Sequence, residues 1–391
     1  MTLTERTALI REQFARLYGG EPTLWVQAPG RVDLMGSHTD YNQGYVLTMT
    51  IDRNTLIAAQ PRQHRQVAIG SMNVEGNLSF SLDDLRCDPA LPWTNFVKGV
   101  AAILQAAGYA LHGFNGLIHS TIPFSSGLSS SAALEVASAM LFKTLGGWPM
   151  DPVQMALLCQ KAENEFVGVN CGILDQYTSA VGQANHAVLL DCRHLTSEAM
   201  SIHPDLQVVI CDTRARRELT GCEYSERRAQ CEEAADYLAQ CHAGVKTLRD
   251  VSLEQLAVCA PDLPEVSVKR ARFIIEENQR VLALAKVLPG GDAGQIGRLC
   301  AESFAGARDL YEISVPAMET MMDAMLSGPG VIGARQAGAG FGGCMVAFVR
   351  RNSVPNFVQH VQAAYHAATQ IESRVYPVSA APGAGVVTFS G

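Results

Sequence analysis

The sequence predicts an α+β protein with two lobes. Its N-terminal part is rich in strand-like segments, and strands and helices then interleave without the regular βαβ period of a doubly wound parallel sheet. At 391 residues the chain also exceeds the ~250–300 residues at which single cores stop growing. A division into residues 1–205 and 206–391 is expected, the pattern becoming mostly helical from about residue 222.

Taken in order, "MTLTERTALIREQFARLYGG" has an amphipathic helical pattern and stops at Gly19-Gly20. "LWVQAPGRVDLMG" and "GYVLTMTIDRNTLIAAQPR" read as strands, being β-branched and partly alternating, and "QVAIGSM" and "NLSFSL" continue the β-rich start. "WTNFVKGVAAILQAAG" is a helix by its apolar period, closed by Gly108. The strand "FNGLIHSTIP" runs into a Ser/Gly loop and then the helix "SSSAALEVASAMLFKTLGG". Asp151 and Pro152 suit the N-cap and first position of the next helix. "HAVLLDC" and "LQVVICDT" read as strands, long amphipathic helices follow from about residue 222, and strands return at "GARQAGAGFGGCMVAFV" and "ESRVYPV".

The formal net charge of −8 argues against nonspecific nucleic-acid binding, which needs a basic face. Eleven cysteines, scattered without a C-x-x-C pair or zinc spacing, read as reduced thiols of a cytoplasmic protein. The charged N-terminal helix is neither a secretory signal nor a membrane span, and no apolar run reaches the ~18 residues that crossing a bilayer requires.

Three stretches carry chemistry. In "PFSSGLSSSAALEVA" (Pro123 to Ala137) a strand enters a small-residue loop and serines open a helix. Unpaired N–H groups at such a helix start hold phosphate, although an ordinary capped helix has the same look. In "GAGFGG" the glycines precede an apolar strand, so this is not a dinucleotide fingerprint, and no Walker or protein-kinase motif occurs. In "AENEFVGVNCGILDQYTSAVG", Glu163 lies on a helix and Asp175 stands in an apolar run, either capping a helix or poised as a base or ligand. A fourth stretch, "GRVDLMGSHTDYNQGY" at residues 30–45, crowds polar groups between two strands.

Together these stretches resemble the motifs of the GHMP kinase superfamily, and specifically of the galactokinase family. "GRVDLMGSHTDYNQGYVL" is similar to the galactokinase signature G-R-V-N-L-I-G-E-H-T-D-Y-N-x-G-x-V-L, "GLSSSAALEVA" to the ATP-phosphate loop and "GAGFGG" to the third motif. "CGILDQYTSAVG" and "EYSERRAQCEEAA" resemble further galactokinase segments. The resemblance implies a two-lobed fold, with a ribosomal S5 domain 2-like N-terminal lobe binding ATP and sugar and a ferredoxin-like C-terminal lobe. It implies transfer of the ATP γ-phosphoryl group to the anomeric hydroxyl of a sugar, with Mg²⁺ as cofactor. Matched by position, Asp175 and Arg31 are the catalytic pair. Ser37, His38, Asp40, Gly172 and Tyr224 stand at sugar-contacting positions. Gly127, Leu128, Ser129, Ser130, Ser131, Ala132, Gly338 and Gly340 stand at ATP-binding positions, and Ser131 and Glu163 at magnesium-binding ones. Sugar and ATP are the expected partners of a monomer that binds neither nucleic acid nor membrane.

The sugar-facing positions depart from the family pattern. Ser37 replaces a glutamate that contacts the sugar 6-hydroxyl, Asp33 an asparagine, Ala337 a threonine and Phe304 a histidine, and Ser125 stands where glycine is usual. "TRARREL" brings in Arg214 and Arg217, either of which could pair with an acidic C6 group. Galactose is the default substrate, but Ser37 points toward a sugar altered at C6, such as galacturonate or arabinose, unless water or another side chain replaces the lost contact. A non-catalytic sugar and ATP sensor, or a kinase of another small alcohol such as mevalonate or homoserine, are the competing readings.

Overall fold

The computed structural model describes residues 2–124, 126–215 and 223–388. Helix α1 (Leu3–Tyr18) starts at a reciprocal capping box between Thr2 and Glu5 and stops at Gly19, whose φ of 72° turns the chain out of the helix. Strands β1 (Leu24–Met35) and β2 (Tyr45–Pro61) form an antiparallel pair. Next come β3 (Gln66–Ser71), β4 (Leu78–Ser81), α2 (Thr94–Ala106) and β5 (Phe114–Ser120). Helix α3 (Ser130–Gly146) is followed by α4 (Pro152–Lys161), whose first N–H groups, those of Val153 and Gln154, donate to the Asp151 carboxylate. A π-helical turn (Ala162–Val167), α5 (Leu174–Val181), β6 (His186–Asp191) and β7 (Thr196–Ser201) complete this half.

The second half runs through β8 (Leu206–Asp212), α6 (Glu223–Cys241), α7 (Leu253–Cys259), α8 (Glu265–Val287), α9 (Ala293–Asp309) and α10 (Pro316–Leu326). It ends in β9 (Val331–Gln336), β10 (Cys344–Arg350), α11 (Val354–Thr369), β11 (Arg374–Val378) and β12 (Gly385–Val386). The glycine-rich stretch is the turn of a hairpin between β9 and β10 and leads into the apolar strand β10. In its turn Gly338, Gly340, Gly342 and Gly343 all adopt positive φ, between 74° and 110°, a region that side chains resist.

The strands form two sheets. An eight-stranded sheet follows the path β12-β1-β2-β5-β3-β4, with β6 pairing to β2 and β7 to β6; a four-stranded antiparallel sheet follows β11-β8-β10-β9. The C-terminal β12 thus returns to the first sheet, where Val386 opposes Val26. Helices α2 to α5 cover one face of the large sheet over a core that includes Val97, Val136, Phe142 and Met155. Where the sheets meet, Val32, Leu34 and Met49 pack with Val208, Ile210 and Phe348 and with Val281 and Leu284 of α8. Each such fully buried side chain is worth about 1.5–3 kcal/mol, so the two sheets are held in fixed relation around the cleft above β1. Every cysteine among the described residues is free of a disulfide, and no helix there is long and apolar enough to cross a membrane.

Candidate active site

The loop before α3 is docked on β1. Gly127 and Ser129 adopt φ of 81° and 58°, and the Ser129 side chain caps nothing in the helix. The N–H groups of Ser130, Ser131 and Ala132 therefore open α3 without helical acceptors, at the positive end of its dipole. The Arg31 backbone N–H donates to the Leu128 carbonyl (3.3 Å), and Arg31 Nη1 donates to the Gly127 carbonyl (2.7 Å). A Cβ at Gly30 would stand 2.7 Å from the Leu128 oxygen, so glycine is what lets strand and loop meet.

Asp175 lies in the first turn of α5, where its carboxylate makes no cap; the residue before the helix is Ile173. Instead, Asp175 Oδ1 accepts from Arg31 Nε at 2.7 Å and lies 2.6 Å from Nη2, while Oδ2 accepts from the Ser129 hydroxyl. Of the two sequence alternatives for this aspartate, the helix cap is not realised. One carboxylate is instead fixed between β1 and the start of the phosphate-loop helix.

A cavity of about 160 Å³ opens beside Asp175. Arg31, Asp33, Ser37, His38 and Asp40 line one side, and Cys171, Gly172, Tyr224 and Gly338 the other. The turn carrying Ser37 to Asp40 is tight because Gly36 takes φ of 104° and the Thr39 hydroxyl bridges the carbonyls of Gly36 (2.7 Å) and Tyr45 (2.6 Å). His38 Nε2 donates to the Ala339 carbonyl (3.0 Å), which leaves Nδ1 to accept from the Tyr41 hydroxyl (2.9 Å). Both ring nitrogens are thus taken up by protein, and the ring joins Tyr224 and Tyr311 in an aromatic wall, with centroids 5.4 and 4.9 Å away. Burial, aided by Arg227 and Arg335, lowers the His38 pKa to about 4, so the ring is neutral. Asp40 moves the other way, to about 6, through burial first and then the nearby charges of Asp175 and Asp33. Its carboxylate packs directly over Gly172, where an added Cβ would fall 1.6 Å from Oδ2.

The remaining expected positions separate. Gly338 borders the cavity and faces the Gly127 carbonyl, whereas Gly340 packs against the Ile313 carbonyl, 2.6 Å from where a Cβ would be. Arg214 is exposed and absent from the cavity wall. Arg217 and Ser125 lie outside the described residues. Ala337 and Phe304 are buried in apolar clusters.

On the far side of the loop, the Ser131 hydroxyl neighbours the Glu163 carboxylate and partly offsets the rise in its pKa. The Gln176 amide nitrogen bridges Glu163 (2.5 Å) and Glu135 (2.9 Å), and Glu135 Oε1 is buried with no partner among the described residues. Burial first, then the neighbouring carboxylate charge, raises the pKa of both glutamates. Crowded buried carboxylates next to a phosphate loop suit a divalent cation, and the hard oxygens of Ser131 and Glu163 suit Mg²⁺. No group of three or more His, Cys, Asp or Glu able to hold a metal occurs among the described residues. Phosphate oxygens would therefore have to complete the ion's shell, as Mg²⁺ with nucleotides prefers.

A second cavity, of about 260 Å³, adjoins Ser130 and Ser131 and is lined by Asn73, Val74, Trp93, Phe96 and Phe124. Trp93 Nε1 is buried there without a partner among the described residues. Aromatic walls with a few polar groups fit a nucleobase. Sequence reasoning missed this cavity, because its residues come from separate connections and the start of α2.

Comparison with known proteins identifies the family. Family models match at residues 95–183 (GHMP kinases N terminal domain), 12–61 (galactokinase galactose-binding signature) and 282–367 (GHMP kinases C terminal). The chain is 44% identical over 382 residues to a galactokinase of Roseiflexus sp. (strain RS-1), covering 97% of each chain. The chain belongs to the galactokinase family. A galactokinase of Chloroflexus aggregans is 42% identical, with 95% of each chain covered. The crystal structure of Lactococcus lactis galactokinase complexed with galactose superposes with a TM-score of 0.92 at 33% identity, covering 97% of this chain and 99% of that one. As a galactokinase-family member, the protein is an ATP- and Mg²⁺-dependent sugar 1-kinase with the two-lobed GHMP kinase fold.

Proposed function

We propose that this galactokinase-family protein phosphorylates galactose at its anomeric hydroxyl. One observation carries the reading: Asp175, gripped by Arg31 and Ser129, stands where the small polar cavity meets the phosphate loop. A sugar in that cavity presents its C1 hydroxyl to Asp175, and the aromatic cavity beyond Ser130 and Ser131 takes the adenine. The C1 oxygen attacks the γ-phosphorus, the bond from that phosphorus to the ADP oxygen breaks, and the hydroxyl proton passes to Asp175. A carboxylate has about four lone-pair sites, so Asp175 can receive this proton while bonded to Arg31 and Ser129. Arg31 keeps the acceptor aimed, and the N–H groups opening α3, with Ser129 to Ser131, hold phosphate oxygens; positioning and electrostatics supply most of such catalysis. Ser131 and Glu163 would hold Mg²⁺, which when bound neutralises phosphate charge. His38, Asp40, Gly172 and Tyr224 shape the sugar site.

Galactose is favoured over galacturonate because the cavity wall carries the Asp33 carboxylate, while Arg214, one of the two arginines expected to meet an acidic C6 group, is exposed and off that wall, the other, Arg217, lying outside the described residues. The galactokinase relatives support the same choice. The test is ATP consumption with galactose, galacturonate, arabinose and N-acetylgalactosamine, with phosphorus NMR of the product. Galactose 1-phosphate as the best product is expected. Tight nucleotide binding with no turnover on any sugar would sink the kinase reading.

A further inference from the structure

Asp33 lies two residues beyond Arg31 on β1, so both side chains leave the same face of the strand, roughly 7 Å apart along it. Both line the sugar cavity. Arg31 holds Asp175 at the end that receives the phosphoryl group, so Asp33 faces the opposite end of a sugar ring lodged there. Asp33 is 1% exposed, and its Oδ2 accepts from the Ser37 hydroxyl at 2.5 Å. Its Oδ1 is buried and has no hydrogen-bond partner among the described residues. A buried carboxylate oxygen left unpaired is expensive, and a ligand hydroxyl is the donor this one lacks.

The charge on Asp33 is anchored from behind. Arg335, fully buried, donates through Nη2 to Ser37 Oγ (2.9 Å) and Glu277 Oε1 (3.3 Å) and through Nε to Ser303 Oγ (3.0 Å), and its Nη1 lies 3.7 Å from Asp33 Oδ2. Arg280 Nε pairs with Glu277 Oε2 at 2.7 Å. Glu276 also meets Arg280 Nη1, at 3.4 Å, so Arg280 is shared between two glutamates and Asp33 is the second carboxylate beside Arg335. Ser37 spends its proton on Asp33 and accepts from Arg335, so it has no donor left for a ligand. The two positions at which the sequence departs from the galactokinase signature, 33 and 37, are therefore partners in one hydrogen bond.

We propose that Asp33 is a specificity-determining residue of the sugar pocket: its free Oδ1 accepts a hydrogen bond from the exocyclic hydroxymethyl group of the sugar, with Ser37 as its positioning residue. The proposal rests on the galactose reading above. It makes the pocket select a hydroxyl at that end of the ring, reject a sugar lacking it, because Asp33 Oδ1 is then stranded, and repel a uronate.

The test is the ratio of kcat/KM for galactose to that for 6-deoxygalactose. The wild-type ratio is expected on the order of 10–100, the worth of a hydrogen bond to a charged group. Asp33→Asn should lower it about 10-fold and raise galacturonate relative to galactose, with nucleotide affinity kept. If Asp33→Asn does not fold, Ser37→Ala, which keeps the carboxylate and removes its hydroxyl partner, should lower the ratio a few-fold. A wild-type ratio near one, or a ratio unmoved in the variant that folds, overturns the proposal. Failure of the wild-type protein to phosphorylate galactose would strike the reading of the substrate instead.

Discussion

Arg31 and Asp175, 144 residues apart in the chain, are joined by two guanidinium nitrogens converging on one carboxylate oxygen, at 2.7 and 2.6 Å. The same guanidinium holds the Gly127 carbonyl, so a single side chain fixes the proposed proton acceptor and the phosphate loop together.

Replacing Arg31 should therefore damage the chemical step more than ligand binding. Arg31→Ala is expected to lower kcat about 10²–10³-fold, the loss typical of removing one preorganised electrostatic contact. Arg31→Lys should recover little, since a point charge cannot serve the Asp175 and Gly127 oxygens in the same geometry. Steady-state kinetics together with nucleotide titration check this.

The Asp40 pKa of about 6 gives the pH profile a direction. In the free enzyme Asp40 is protonated below that value and ionised above it, so a site that needs it as an acceptor gains activity as pH rises through about 6. kcat/KM for sugar reports the free enzyme and should fall on the acid side with that midpoint. His38 cannot supply this limb, because it stays neutral down to about 4. Asp40→Asn should lower kcat/KM and remove the limb.

Gly172→Ala should act through Asp40, since the new Cβ would fall 1.6 Å from its Oδ2. Displacing a binding group by even 1 Å is costly, so the KM for sugar should rise at least ~10-fold while that for ATP stays nearly constant.

Glu163→Gln should raise the Mg²⁺ concentration needed for half-maximal turnover, as an oxygen ligand loses its charge. It should also stabilise the metal-free protein. The folded-state pKa values of both glutamates are raised, by burial first and then by the charge of Glu163 on Glu135 and of Asp175 on Glu163, so the wild-type fold loses stability as pH climbs above the ordinary glutamate range. At pH 8 the variant's Tm should exceed the wild type's by on the order of 2 °C, and the gap should close near pH 5. Calorimetry without added metal measures both.

What could be read from sequence was chemistry carried on contiguous residues. The turn from Gly36 to Gly44 and the loop opening α3 each hold their polar groups and special backbone positions within one short stretch, so both were visible before any contact was known. Asp175 was ambiguous, because a carboxylate near a helix start caps unless a distant cation claims it, and Arg31 is that cation. The aromatic cavity beside Ser130 and Ser131 and the Asp33–Ser37–Arg335–Glu277 set draw on elements scattered through the chain, and no local pattern announces them. Ser37 illustrates the difference. By sequence it is a lost carboxylate; in the fold it is hydrogen-bonded to a carboxylate four residues earlier.

The central claim is that Asp175 accepts the sugar proton during transfer from ATP. Single-turnover formation of sugar 1-phosphate from galactose and Mg²⁺-ATP, followed for wild type and Asp175→Asn, tests it most directly. The account predicts product from the wild type and at least a ~10²-fold slower step in the variant, with both ligands still bound. An Asp175→Asn protein that forms sugar 1-phosphate at the wild-type rate would contradict it.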